Sequence, residues 1–130
     1  MAEVTVLVVD DDPVIMRLLE VNFEMEGYAV VTATDGQQAL DQIASAAPDL
    51  VVCDIMMPVV NGLEVVERLR QSGDAKLERL PVILLSAKAQ ASEVQKGLDV
   101  GADDYITKPF DPLELIERVQ ALLQTSQSQP

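Results

Sequence analysis

Histidine is absent from this sequence, and cysteine occurs only once. Zinc sites built on histidine, and catalytic triads that use histidine as the base, are therefore excluded. The single cysteine, Cys53, cannot form an internal disulfide, which is typical of proteins in a reducing cytosol. We therefore expect a cytoplasmic protein in which Cys53 is a small buried apolar residue.

Basic residues and long apolar runs are also scarce. Nine Lys and Arg residues stand against 22 Asp and Glu residues, which gives a formal net charge of −13 at pH 7. Binding to DNA, RNA or an anionic membrane requires a basic surface, so we expect none of these partners for this domain. Apolar runs such as residues 4–9 are too short to span a bilayer. No basic segment followed by a long apolar run opens the chain, so we expect no export signal.

The apolar residues that are present follow two alternating patterns. With 130 residues, of which 48% are hydrophobic, the chain is long enough for one globular domain with its own core. Short runs rich in β-branched residues alternate with stretches of helical periodicity. Most of these runs are continuously apolar, which indicates parallel strands covered on both faces. The predicted strands are residues 4–9, 29–33, 50–53, 82–85 and 105–107, and the second and fifth are more polar, as edge strands would be.

Helix signals lie between these strands and after the last one. Typical helix starts are found at Asp12-Pro13, Asp35, Asn61-Gly62 and Asp111-Pro112, and a further helix is predicted near residues 90–100. Five strands alternating with five helices predict an α/β fold with a doubly wound, five-stranded parallel sheet. We assign residues 1–124 to this domain and residues 125–130 to a polar tail or the start of a linker.

Three details of the helical segments are expectations that a structure can test. In the first helix, Ile15, Leu18, Leu19 and Met25 are expected on the inner side. The helix near residues 90–100 has a thin apolar stripe and should be held weakly. The segment 70–80 is expected only to lengthen a loop.

Polar side chains stand where the predicted strands end. The first strand leads into Asp10-Asp11-Asp12, the third into Asp54, the fourth into Ser86 and the fifth into Lys108. In a doubly wound fold these ends share one crevice. Several carboxylates in one crevice repel each other unless a cation compensates, and Mg²⁺ is the hard cation that prefers oxygen ligands. A carboxylate nucleophile with a metal and a lysine suits phosphoryl transfer to aspartate.

Each of these residues also has a simpler interpretation when it is taken alone. Asp12 is fully explained as a helix cap before Pro13. Asp10 or Asp11 alone could be a loop acid, and a lone serine or lysine after a strand carries little information. Only the joint pattern across four strand ends favours a functional site.

Over residues 4 to about 123, the sequence resembles the receiver domains of two-component response regulators. The matching stretches are Val8-Val9-Asp10-Asp11-Asp12, Asp54-Ile55-Met56-Met57-Pro58 with Asn61-Gly62, Leu85-Ser86-Ala87, and Gly101-Ala102-Asp103-Asp104-Tyr105 with Lys108-Pro109-Phe110. The resemblance implies the flavodoxin-like strand order 2-1-3-4-5. It also implies a signalling switch, rather than an enzyme, that catalyses its own phosphorylation and dephosphorylation.

The resemblance assigns a role to each residue at the strand ends. Asp54 would be the phosphoacceptor. Asp11, Asp54 and the backbone carbonyl of Met56 would ligate Mg²⁺, with Asp10 helping directly or through water.

The remaining roles concern the response to phosphorylation. Lys108 would pair with the phosphoryl oxygens, and the Lys108-Pro109 peptide would be cis. Ser86 would be the switch hydroxyl that moves to bind those oxygens. Tyr105 would be the aromatic partner that turns inward with Ser86.

The resemblance also implies partners. The phosphoryl donor would be a sensor histidine kinase or a phosphotransfer protein, and a donor in trans fits a chain without histidine. The output would be a downstream protein effector or an output domain outside this sequence. The fourth predicted helix, the fifth strand and the fifth predicted helix would form the output face. Asp104, Glu114 and Arg118 on that face resemble a charged set used for homodimers, but Val94 stands where a basic partner of Glu114 is expected, which we attribute to helix packing.

Three other functions deserve comparison with this one. Aspartyl-phosphate phosphatases carry a second aspartate two residues after the nucleophile, where this chain has Met56. A flavodoxin-type flavin carrier needs a hydroxyl-rich phosphate loop after the first strand, whereas Asp10-Asp11-Asp12 would repel a phosphate. A degenerate receiver that serves only for docking would not need the intact acidic, hydroxyl and lysine set.

Overall fold

The computed structural model describes the backbone of residues 3–128 and the side chains of residues 3–125. Strands and helices alternate along this part of the chain, with one additional short helix between the third and fourth strands. Among the described residues, every helix is too short or too polar to cross a membrane. The elements are β1 (Thr5–Val9), α1 (Pro13–Met25), β2 (Ala29–Ala33), α2 (Gly36–Ala46), β3 (Leu50–Asp54), α3 (Gly62–Arg70), α4 (Ala75–Glu78), β4 (Val82–Ser86), α5 (Ala91–Asp99), β5 (Asp104–Thr107) and α6 (Pro112–Ser128).

All five strands pair in parallel in the order β2-β1-β3-β4-β5. The doubly wound sheet and its flavodoxin-like order are therefore confirmed. The two more polar strands, β2 and β5, lie at the edges as predicted, whereas every residue of β3 and β4 is buried. β2 lies on one side of β1, and β3 to β5 lie on the other side, so the helices that follow β1 and β3 are on opposite faces of the sheet. The carboxyl ends of β1 and β3 therefore face a common crevice.

The core lies on both faces of this sheet because successive strand residues point to opposite sides. On one face, residues such as Leu7, Val51 and Leu84 pack with α2, α3 and α5. On the other face, residues such as Val8 and Val52 pack with α1 and α6. Both layers bury continuous apolar surface, which is the main favourable contribution to folding.

The predicted helix starts are present and are stabilised by side-chain caps. The carboxylates of Asp12 and Asp35 accept hydrogen bonds from the backbone N–H groups of Val14 and Gln38. Asn61 forms a capping box with Glu64 at the start of α3. These caps are local interactions, which is why the sequence could predict them.

The predicted number of helices was wrong: six helices, not five, occur among residues 3–128. The additional helix α4 lies in the segment expected to be only a longer loop. Asp74 caps it by accepting a hydrogen bond from the N–H of Lys76. Arg70 at the end of α3 binds it by donating to the carbonyl of Leu77 at 3.1 Å. The predicted fourth and fifth helices are consequently α5 and α6.

One further expectation about the helices is corrected. In α1, Leu18 and Met25 are exposed, by 41% and 78%, while Leu19 and Phe23 are buried. The buried residues are four apart and therefore lie on the same face of the helix, with Met25 turned away.

At the other end of the chain, α6 continues to Ser128, so part of the segment expected as a polar tail is helical. The domain boundary at residue 124 stays a prediction.

Candidate functional site

The polar residues predicted at the strand ends lie along the carboxyl edge of the sheet. Asp10 follows β1, Asp54 ends β3 and Ser86 ends β4, and all three are buried. Lys108 follows β5, and its backbone N–H donates to the carbonyl of Ser86 at 2.8 Å. Parallel pairing of the strands thus brings together residues that are up to 98 positions apart.

Three carboxylates meet at this edge. Carboxylate oxygens of Asp10, Asp11 and Asp54 lie within 4.8 Å of one another, and Asp11 is the exposed member. One carboxylate oxygen of Asp10 accepts a hydrogen bond from the N–H of Asp12 at 2.9 Å, which orients the group. The donor set consists of oxygens only, and such a set fits Mg²⁺.

Lys108 is the cation of the cluster. Its Nζ lies 3.0 Å from Oδ2 of Asp10 and 3.5 Å from Oδ1 of Asp54. The Lys108-Pro109 peptide bond is cis, as the resemblance suggested. One ammonium group therefore faces two buried carboxylates, and the third carboxylate, on Asp11, faces solvent.

Burial and charge shift the pKa values of this cluster. Burial raises the pKa of Asp54 above its ordinary value, and the nearby charge of Asp10 raises it further, whereas Lys108 opposes the shift. For Lys108, burial alone would lower the pKa, but the hydrogen bond and charge of Asp10, together with Asp54, raise it overall. The ammonium group of Lys108 is therefore held protonated.

The loop after β3 folds back tightly on the end of that strand. The N–H of Met56 points to Oδ1 of Asp54 at 3.4 Å, and the N–H of Gly62 donates to the carbonyl of Ile55 at 3.0 Å. A Cβ at Gly62 would lie 2.6 Å from the carbonyl oxygen of Asp54, so only glycine allows this approach. The start of α3 is thereby held against the phosphoacceptor candidate.

The predicted switch residues are linked through the loop between β4 and α5. Oγ of Ser86 accepts a hydrogen bond from the N–H of Lys88 at 3.1 Å. The hydroxyl of Tyr105 donates to the carbonyl of Lys88 at 2.8 Å, and the tyrosine ring is buried. Tyr105 is therefore in an inward position, bound to the same loop residue as Ser86.

The charged set of the predicted output face forms ion pairs within the chain. Arg118 donates to both carboxylate oxygens of Asp104 at 2.8 Å and to Glu114 at 3.1 Å. Val94 packs against the hydrophobic core below α5. The interpretation of Val94 as a packing residue is thus confirmed.

Sequence reasoning missed two contributors to this end of the molecule. Gly97, in the last turn of α5, packs against the ring of Tyr105, and the backbone of Lys88 joins Tyr105 to Ser86. A glycine inside a helical pattern costs about 1 kcal/mol relative to alanine, so Gly97 carried a signal that could have been used. The backbone contacts of Lys88 left no signal in the sequence.

This arrangement has a defined chemical capacity. The carboxylate of Asp54 is buried, oriented, and flanked by one ammonium group and by oxygen ligands for a divalent cation. Such a group can act as the nucleophile in phosphoryl transfer, because positioning and charge neutralisation provide most of that catalysis.

Comparisons with known proteins agree with this fold and show its family. The family model of the response regulator receiver domain matches residues 6–120. The chain is 46% identical over 122 residues to the alkaline phosphatase synthesis transcriptional regulatory protein PhoP of Bacillus subtilis, covering 94% of this chain and 49% of that protein. It is 49% identical over 120 residues to the response regulator MprA of Mycolicibacterium vanbaalenii, covering 92% of this chain and 50% of that protein. The chain thus spans about half the length of these curated relatives.

Solved structures show the same fold. The receiver domain of the Francisella response regulator 1452 superposes with a TM-score of 0.89 at 38% identity, covering 95% of this chain and 99% of that one. The chemotaxis response regulator CheY4 of Vibrio cholerae superposes with a TM-score of 0.85 at 31% identity, covering 93% and 99%. From the fold, the strand-end cluster and these similarities, we conclude that the chain belongs to the response regulator receiver domain family.

Proposed function

We propose that the chain is a phosphoacceptor switch in which Asp54 receives a phosphoryl group in a Mg²⁺-dependent reaction. The observation that carries the proposal is the meeting of three carboxylates and one lysine at the carboxyl edge of the sheet. Asp54 is the member that is both buried and in contact with Lys108 and the loop after β3. We assign it the role of nucleophile for this reason.

The donor set of the site supports the proposed metal. The carboxylates of Asp10, Asp11 and Asp54, with the backbone carbonyl of Met56, would hold Mg²⁺. When bound, the ion supplies neutralisation of negative charge on the carboxylates and on the incoming phosphoryl group. Asp11 is exposed, so it is the carboxylate through which the site reaches solvent.

Lys108 and Ser86 would read the phosphorylation state. Lys108 already contacts Asp54 and, as a mobile point charge, would pair with the phosphoryl oxygens. Ser86 ends the neighbouring strand and offers a hydroxyl donor for the same oxygens. Tyr105, bound to the loop that follows Ser86, would carry the change to the face formed by α5, β5 and α6.

An apolar face beside the site suits the phosphodonor. On α1, the exposed residues Val14, Leu18, Val21 and Met25 are spaced by four, three and four positions, which places them on one helix face. This face begins at Val14, three residues after Asp11. We propose that a sensor histidine kinase or a phosphotransfer protein docks there and brings its phosphohistidine to Asp54.

The output of the switch lies outside this domain in our proposal. The curated relatives are about twice as long as the chain, so the α5–β5–α6 face would control an attached output domain or a separate protein effector. A homodimer through that face remains part of the proposal. With a net charge of −13, the domain itself should bind neither nucleic acid nor membranes, and we propose a cytoplasmic location.

The test is phosphorylation of the whole chain by acetyl phosphate with Mg²⁺, followed by intact mass measurement. Wild type should gain one phosphoryl group that hydroxylamine removes, and Asp54→Asn should gain none. Asp12→Asn is the matched control, because Asn also caps helices and Asp12 lies next to the cluster. Equal labelling of Asp54→Asn and Asp12→Asn, or labelling that persists in EDTA, would refute the proposal.

A further inference from the structure

Gly97 occupies an unusual place in α5. Glycine is one of the weakest helix formers, yet Gly97 lies inside the helix and is its buried residue. A Cβ at this position would lie 2.8 Å from Cδ2 and 3.1 Å from Cε2 of Tyr105, and 3.2 Å from Cδ1 of Leu84. The tyrosine ring therefore fills the space that a side chain at position 97 would need.

A chain of contacts leads from this position to the phosphorylation site. Tyr105 is only 8% exposed, and its hydroxyl donates to the carbonyl of Lys88 at 2.8 Å. The N–H of the same residue, Lys88, donates to Oγ of Ser86 at 3.1 Å. The backbone carbonyl of Ser86 in turn accepts a hydrogen bond from the backbone N–H of Lys108 at 2.8 Å.

We propose that Gly97 is a positioning residue: because it lacks a side chain, it leaves room for the inward ring of Tyr105, and it thereby sets the position of Lys88 and of the Ser86 hydroxyl that Lys88 binds. This inference rests on the proposed role of Ser86 as a ligand of the phosphoryl group. A Cβ at position 97 displaces the ring, breaks the hydrogen bond to Lys88 and frees the loop. The residue at this position of α5 therefore regulates how readily the site adopts its phosphoryl-binding arrangement.

The first experiment measures the position of the ring without any phosphorylation. In a Tyr28→Phe background, Tyr105 is the sole tyrosine of the sequence, so 3-fluorotyrosine gives one fluorine resonance. Gly97→Ala should move this resonance to a solvent-exposed value and increase its response to exchange of H₂O for D₂O. Lys96→Ala, an exposed position on the same helix, should leave it unchanged. Equal spectra for the two variants would overturn the proposal.

A purely structural role for Gly97 is separated from positioning by a double-mutant cycle. With the ring removed by Tyr105→Val, an added Cβ still meets Cδ1 of Leu84 at 3.2 Å, so Gly97→Ala should raise the folding equilibrium constant by at most about fivefold, because alanine is the better helix former. With Tyr105 present, this gain should be lost. The same gain in both backgrounds would overturn the proposal. If Gly97→Ala alone fails to fold, the double variant must fold, and failure of both would also overturn it.

The last experiment connects the ring to the site. Gly97→Ala should take up the phosphoryl group from acetyl phosphate several-fold more slowly than Lys96→Ala, since a smaller fraction of the protein is in the receptive arrangement. In the Tyr105→Val background, Gly97→Ala should have no such effect. Unchanged uptake in a variant whose ring has moved would overturn the link to Ser86. Failure of the proposed function is distinguishable, because wild type itself would then take up no phosphoryl group.

Discussion

Neutralising Asp54 should stabilise the metal-free protein, although it removes an ion pair. At an effective dielectric constant of about 20, the attraction of Lys108 at 3.5 Å is about 4.7 kcal/mol. Repulsion by Asp10, whose carboxylate oxygen lies within 4.8 Å, is at least about 3.5 kcal/mol, and exposed Asp11 adds about 1 kcal/mol through water. These attractive and repulsive contributions nearly cancel, so the burial penalty of the Asp54 carboxylate decides whether its neutralisation stabilises the protein.

Burial is also the largest cause of the raised pKa of Asp54, which agrees with this balance. The penalty of a buried ion is several kcal/mol, of which Asn avoids only part because its amide must also be solvated or hydrogen-bonded. We therefore expect Asp54→Asn to raise the free energy of unfolding by about 1–2 kcal/mol in EDTA. Mg²⁺ at about ten times its dissociation constant should stabilise wild type by about 1.4 kcal/mol and the variant much less.

Urea unfolding followed by far-UV circular dichroism, in EDTA and in MgCl₂, measures both effects. Glu117→Gln is the matched control, because it removes one negative charge from the exposed side of α6. The control corrects for the general relief of a net charge of −13. The reasoning is refuted if Asp54→Asn is less stable than Glu117→Gln in EDTA, or if both variants gain equally from Mg²⁺.

Three further outcomes are expected. Arg70→Met removes three side-chain hydrogen bonds and should lower the free energy of unfolding by about 2–3 kcal/mol. The control Arg68→Met, at an exposed position of the same helix, should change it by less than about 0.5 kcal/mol. Equal urea midpoints for the two variants would contradict this prediction. Burial raises the pKa of the Cys53 thiol, and the charges of the nearby aspartates Asp54 and Asp10 raise it further. A disulfide reagent should therefore react with this buried thiol only as fast as the protein unfolds. Rapid reaction of the native protein would be inconsistent with this burial. Asn61→Ala removes the capping box of α3 and should cost about 1 kcal/mol, most of which Asn61→Ser should restore in the same urea assay.

The strand-end chemistry was predictable because its determinants are local in the chain. Each apolar run leads directly into Asp10, Asp54 or Ser86, and parallel topology requires those ends to share one edge. The caps at Asp35 and Asn61 are equally local, since each side chain binds a backbone N–H three residues ahead. The fold class and the members of the cluster followed from these two kinds of signal.

Contacts between distant elements could not be derived in the same way. Arg70 joins α3 to α4 and to the turn before β5 through Leu77, Gly101 and Asp103, and two of these partners are more than 30 residues away. The short helix α4 was missed because four residues provide no periodicity to recognise. The exposure of Met25 was missed because the spacing of apolar residues did not show that the sheet covers the helix face of Leu19 and Phe23, from which Met25 is turned away.

The sequence by itself determined the alternation of the five strands with the five longer helices, the caps at Asp12, Asp35 and Asn61, and the set of acidic, hydroxyl and ammonium groups at the strand ends, since neighbouring residues specify all of these. Only the tertiary structure decided that Lys108 contacts both Asp10 and Asp54, and that the ring of Tyr105 occupies the space beside Gly97. Those contacts depend on distances between side chains from separate elements, and such distances are fixed only when the helices pack against the sheet.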